Sequence, residues 1–161
     1  MRKTVGYMRN FVFGVEDGLV STVGLLSGIE AAGNESRTIF VTGMVLIVVE
    51  ALSMAIGSFL SENSAEEFSE RKEEPLAHSL PNAFIMFFSY FLTGFIPLFP
   101  YLLLPASQAL WVSIAASLVA LGILGAISGK MAHTSTSKGI LKMVLLGGAA
   151  IGVGIGVGSL L

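Results

Sequence analysis

Cysteine is absent from the 161 residues, which removes disulfides, thiolate metal sites and cysteine catalysis together. Charge is scarce as well. Asp, Glu, Lys and Arg make up 12% of the chain, about half the share ordinary for a soluble domain. None of the four occurs between Pro75 and Gly129, or from Met143 to Leu161. A net charge of −2 offers no basic surface for nucleic acid. What fills the chain instead is apolar: 53% of residues are hydrophobic and the mean hydropathy is +0.81, the composition of an integral membrane protein. The period-two alternation of barrel strands is lacking too, so the fold class is an all-α transmembrane bundle.

A helix crosses the hydrocarbon in about 20 residues, so the two uncharged stretches alone need three spans. Pro100, Pro105 and Ser107-Gln108 punctuate the first of them. Two further apolar runs precede it, joined by the tight connection Gly33-Asn34-Glu35-Ser36. The pattern predicts one transmembrane domain over 1–161, with helices at about 11–32, 38–61, 82–104, 109–128 and 140–160 and a short acidic cytoplasmic segment at 62–74. Arg2, Lys3, Arg9, Arg71, Lys72, Lys130, Lys138 and Lys142 fall on one side of this layout and only Arg37 on the other. The expected topology is therefore a cytoplasmic N-terminus and a C-terminus on the opposite side. Met1-Arg2-Lys3 reads as the start of a retained first helix, since no small-residue cleavage site precedes the acids at Glu16 and Asp17.

Those acids matter because an ionisable group at mid-membrane costs roughly 2.5 to 3.5 kcal/mol on insertion scales. Asp17 in the first predicted helix and Glu50 in the second have no intramembrane Lys or Arg to pair with. With helix ends near Phe11 and Ser61, Asp17 and Met54 lie at similar depth, roughly 9 and 10 Å from the cytoplasmic side. Glu50 stands one turn deeper than Met54 on the same face. Carboxylate oxygens suit divalent cations, and a thioether adds softness that Mg²⁺ and Ca²⁺ do not use, so the set Asp17, Glu50, Met54 favours a first-row transition ion such as Fe²⁺. Low dielectric favours the protonated form of a carboxyl group, so an arriving cation displaces protons, which is exchange chemistry. One subunit offers three donors where octahedral ions take six, which predicts a twofold homodimer with the path on its axis.

Glu16, about 100° around the helix from Asp17, is expected to face a cytoplasmic vestibule or a neighbouring helix. Glu30, Glu35 and Arg37 read as solvated charge at the far surface. Glu62, Glu66 and Glu70 recur at four-residue spacing, and two readings stand: a cytoplasmic ribbon that captures cations, or a solvated helix end with a Glu67–Arg71 pair. His78 and His133 read as interfacial polar residues. Pro97 and Pro100 are expected to kink or break the third helix, by simple termination or to shape a cavity. In the last helix, Gly148-Gly152-Gly156 and Gly154-Gly158 mark packing faces, because small residues let backbones approach.

The chain resembles the vacuolar iron transporter family. The resemblance rests on Asp17-Gly18-Leu19-Val20-Ser21-Thr22 with Gly28, on Ala51-Leu52-Ser53-Met54-Ala55-Ile56-Gly57, on Ile96-Pro97-Leu98-Phe99-Pro100 and on the small-residue last helix. It implies a homodimer of five-helix subunits that moves Fe²⁺, often also Mn²⁺, out of the cytosol in exchange for protons. It further implies that Asp17 and Met54 are pathway ligands; Glu50 matches only some members. Glu16 stands where asparagine often precedes the aspartate, and Ser58 where glutamate commonly follows the glycine. The cytoplasmic segment is short where metal-collecting members carry a glutamate-rich domain. The leading expectation is a divalent-metal transporter that is not an enzyme, has no cofactor and works in a lipid bilayer with metal ions and protons as its partners. The alternative is a non-transporting assembly or anchoring subunit. A membrane hydrolase stands third, with no histidine, serine or cysteine arranged beside the carboxylates.

Overall fold

The structure is a computed structural model that describes residues 2–71 and 78–160, with the side chains of Arg2, Lys3 and Glu70 also outside the description. Lys72, Glu73 and Glu74 of the predicted acidic segment lie outside the described residues. Among the described residues six helices follow in order: α1 Arg2–Ala31, α2 Ser36–Glu70, α3 Leu80–Leu98, α4 Pro100–Leu103, α5 Ala106–Met131 and α6 Thr136–Gly158. With α3 and α4 taken as one interrupted span, five segments are long and apolar enough to cross a membrane. The chain is thus an all-helical, multi-pass membrane protein.

Both N-terminal helices outrun their apolar stretches. α1 begins at Arg2 and not near Phe11, and α2 continues past Ser61 to Glu70, because the polar residues at these ends include no proline to stop the ladder. At 35 residues α2 is about 52 Å long, well beyond the roughly 30 Å of hydrocarbon. α1 ends where Gly33 adopts φ +82. The Asn34 amide then donates to Ile29 and the Gly33 amide to Glu30, satisfying the last carbonyls as in a Schellman motif. Ser36 hydroxyl donates to the Leu104 carbonyl and ties the start of α2 to the end of α4. α3 contains Pro97 and stops at Phe99, after which Pro100 opens α4. The break is bridged from α5, whose buried Ser113 hydroxyl donates to the Pro97 carbonyl at 2.7 Å.

Packing is decided by small residues. α3 lies against both α1 and α2. A methyl at Gly18 of α1 would meet the Tyr90 carbonyl of α3 at 2.7 Å, and one at Gly94 of α3 would meet Ile47 of α2 at 2.8 Å. On α6, a methyl at Gly154 or Gly158 would land on the carbonyls of Gly24 or Gly28 of α1, so Gly154-Gly158 is a packing face as expected. Gly148, Gly152 and Gly156 are not: nothing within the subunit lies within 4 Å of where their side chains would stand. The two glycine rows differ in helical phase, and only one of them turns toward α1. The core gathers at the far end of the bundle around Leu26, Ile39, Ile47, Leu98, Tyr101 and Ala109.

Candidate functional site

The register of α1 and α2 can be read from an ion pair between them. Arg9 donates to Glu62 at 2.7 Å. Asp17 lies eight residues beyond Arg9 and Met54 eight residues before Glu62, so the antiparallel helices bring Asp17 and Met54 to one level, about 12 Å past the ion pair. The same count brings Ser21 level with Glu50, one turn deeper. The common depth of Asp17 and Met54 therefore holds although both helices extend further than their apolar stretches suggest. All three predicted pathway residues are half-buried.

The residue that links them was not singled out by the sequence. Tyr90 of α3 is fully buried and lies within electrostatic reach of both Asp17 and Glu50, beside the hydroxyls of Ser21 and Thr22. Ser21 donates to the Asp17 carboxylate at 2.7 Å. The Tyr90 and Thr22 hydroxyls lie near each other but have no hydrogen bond within 3.5 Å among the described residues. A buried polar group without a partner costs on the order of 1 to 3 kcal/mol. Here two such hydroxyls stand together in an otherwise apolar bundle, the Tyr90 phenol within electrostatic reach of two acids. Tyr90 sits among Phe87, Phe88 and Phe91, and nothing in that run distinguishes a core aromatic from one aimed at an acid pair. The glycines that bring α1 and α2 against α3 are the only local sign.

Nearer the Arg9–Glu62 end, a cavity of about 470 Å³ opens between α1, α2 and α3, with Met54, Ser58 and Ser61 on one wall and Arg9, Asn10 and Met86 on the other. Asn10 donates to Asn82 at 2.9 Å in a buried amide pair that holds α1 to α3 beside it. Of the acidic ribbon, Glu62 is engaged by Arg9, and Glu66 is half-buried with one carboxylate oxygen unpartnered among the described residues. Glu70 has only its backbone described. Glu67 accepts a hydrogen bond from Asn63 at 2.9 Å and, among the described residues, forms no ion pair with Arg71, which instead ends α2 in a left-handed conformation. Ser58, in place of a carboxylate, has a buried and unpartnered hydroxyl. Glu16 is half-buried beside Asp17, and at the far end the half-buried Glu30 lies within electrostatic reach of buried Tyr101. Among the described residues no three His, Asp or Glu gather closely enough to hold a metal ion between them.

The VIT family profile matches residues 8–80 and 68–159. Vacuolar iron transporter homolog 4 of Arabidopsis thaliana is 30% identical over 96% of this chain and 83% of its own length. Vacuolar iron transporter homolog 5 of Oryza sativa subsp. japonica is 28% identical over 93% of this chain and 78% of its own. Vacuolar iron transporter 1 of Eucalyptus grandis is 23% identical over 92% and 84%. That last alignment runs to 209 positions against a chain of 161 residues. The two profile matches overlap at 68–80, across the connection between α2 and α3. With the profile covering nearly the whole bundle and the first of these relatives aligned over most of its length, the chain belongs to the VIT family.

Proposed function

We propose that this protein moves a divalent transition-metal ion, Fe²⁺ with Mn²⁺ as a second substrate, out of the cytosol in exchange for protons. The observation that carries the reading is Asp17 level with Met54 across the α1–α2 pair, beside a fully buried phenol within electrostatic reach of both Asp17 and Glu50. Oxygen donors with a thioether suit a first-row transition ion better than Mg²⁺ or Ca²⁺. The relatives named as iron transporters support Fe²⁺ as the ion. In the proposed cycle, the cation enters past the Arg9–Glu62 pair and meets Met54 and Asp17. It displaces protons from the carboxyl groups, then passes Glu50 and Ser21 toward the far side. The carboxyl groups take protons again when the ion leaves.

The working unit is a twofold homodimer. One subunit assembles too few donors for an octahedral ion, and on α2 the exposed face beside Glu50 and Met54 carries Ser53 and Gly57, small residues with room for a second copy. The cytoplasmic N-terminus follows from the basic residues at the Arg9 end of the bundle. The competing reading, a non-transporting assembly subunit whose acids pair with a partner's basic groups, leaves Met54 beside the acids unaccounted for.

The deciding experiment is Fe²⁺ uptake by proteoliposomes carrying an internal pH dye. The expected result is metal accumulation with opposite proton movement, lost in Asp17→Asn. No uptake by folded wild-type protein refutes the transport reading. Uptake without proton movement refutes the exchange.

A further inference from the structure

The cavity between α1, α2 and α3 has a second sulfur. Met86 of α3 lines it opposite Met54 of α2 and is 2% exposed, and its Sδ lies within 3.3 Å of where a side chain at Gly14 would begin. Gly14 is one turn before Asp17, and the missing side chain is what leaves room for the thioether on that side. No carboxylate lines the cavity. Its polar atoms belong to Asn10, held by Asn82, to Ser53, Ser58 and Ser61, and to Arg9, whose charge is met by Glu62. Hard cations find no anionic oxygen there, whereas two thioethers on facing helices suit a soft or borderline ion.

We infer that Met86 is a second thioether of the metal path, near the level of Gly14 one turn before Asp17, forming a two-sulfur subsite with Met54, which stands level with Asp17. This rests on the transport reading for its role but not for its chemistry. A divalent ion that has passed the Arg9–Glu62 pair exchanges water for sulfur before it reaches the carboxylates. Ions that gain nothing from sulfur, Mg²⁺ and Ca²⁺, are disfavoured at that step, so discrimination precedes the strongly binding acids. The alternative role for Met86 is packing between α1 and α3, which its burial alone would also satisfy.

Ag⁺ separates the two roles, being soft and free of redox chemistry under assay conditions. The full chain in lipid nanodiscs is loaded with one equivalent of Ag⁺ and its sulfur neighbours are counted by X-ray absorption. Wild type is expected to show two sulfurs, Met86→Leu and Met54→Leu one each, and Met44→Leu, altered at the far-end core, two. Leucine keeps volume and apolarity, so the fold is retained; should Met86→Leu unfold, Met86→Gln keeps the chain length and must also drop the count to one. In proteoliposomes Met86→Leu is expected to lower the preference for Fe²⁺ over Mg²⁺ several-fold. A sulfur count unchanged by either Met86 substitution overturns the subsite, as does wild-type protein with fewer than two sulfurs. If wild type takes up no Fe²⁺ yet shows two sulfurs that fall to one in Met86→Leu, the transport reading fails and the subsite stands.

Discussion

Glu62→Gln removes one negative charge and leaves Arg9 unpaired at the mouth of the cavity that leads to Met54. Because the pair is partly exposed, 64% for Arg9 and 21% for Glu62, its contribution to stability is small, below about 1 kcal/mol. Its effect on an approaching ion is larger. At about 12 Å and an effective dielectric near 20, one unit charge acts on another with roughly 1.4 kcal/mol, and on a divalent ion with about twice that. Physiological salt, with a Debye length of about 8 Å, cuts this to roughly a fifth, about 0.6 kcal/mol, or close to threefold in the half-saturating metal concentration. The expected outcome in proteoliposome uptake is therefore about a threefold rise in KM for Fe²⁺ at physiological ionic strength, growing toward tens-fold as salt is lowered, with the maximal rate largely kept. The double variant Arg9→Gln/Glu62→Gln restores neutrality and is expected to return KM to near the wild-type value. A double variant as impaired as Glu62→Gln would refute the charge-balance argument and favour Glu62 as a capture ligand in its own right. A salt-independent rise in KM would refute it as well.

Tyr90→Phe removes a buried hydroxyl with no hydrogen bond within 3.5 Å among the described residues, so thermal unfolding in detergent is expected to show stability changed by no more than about 1 kcal/mol, while Fe²⁺ uptake falls; a variant that transports like wild type removes Tyr90 from the path. Gly154→Leu drives a side chain into the Gly24 carbonyl and is expected to cost at least about 1 to 3 kcal/mol, whereas Gly156→Ala, with nothing within 4 Å inside the subunit, is expected to change the subunit's unfolding by less than about 0.5 kcal/mol; equal effects would contradict the assignment of the α1–α6 face. The cysteine-free chain makes single-cysteine cross-linking clean: Ser53→Cys, exposed on α2 one residue before Met54, is expected to form a disulfide-linked pair in membranes under mild oxidant, and a fully active protein that stays monomeric speaks against the twofold path.

The acids were legible because they break a rule that needs no structure: Asp17 and Glu50 stand in apolar helices without a basic residue to meet them. Met54 was legible because it shares a face with Glu50 at helical spacing. Glu62 looked like one member of a free ribbon, since a four-residue spacing tells which acids share a face and not what approaches that face. Its partner Arg9 lies on another helix, at a height that only the antiparallel register of α1 and α2 defines. Tyr90 and Met86 gave no signal in one dimension, one lost among phenylalanines and the other an isolated methionine. Both stand beside the candidate site because Gly14, Gly18 and Gly94 let α3 settle against α1 and α2.

By itself the sequence determined that the chain carries five segments long and apolar enough to cross a membrane, since hydropathy is a property of each residue summed over about 20 neighbours and the bilayer thickness does the counting. It also determined which ionisable groups that crossing buries. The tertiary structure decided who meets them. Between helices already in lipid there is little hydrophobic force to choose neighbours, so the choice falls to close packing at small residues. That packing separated the glycine row of α6 that contacts α1 from the row left open, set α3 beside the acids, and brought a second thioether to the wall facing Met54.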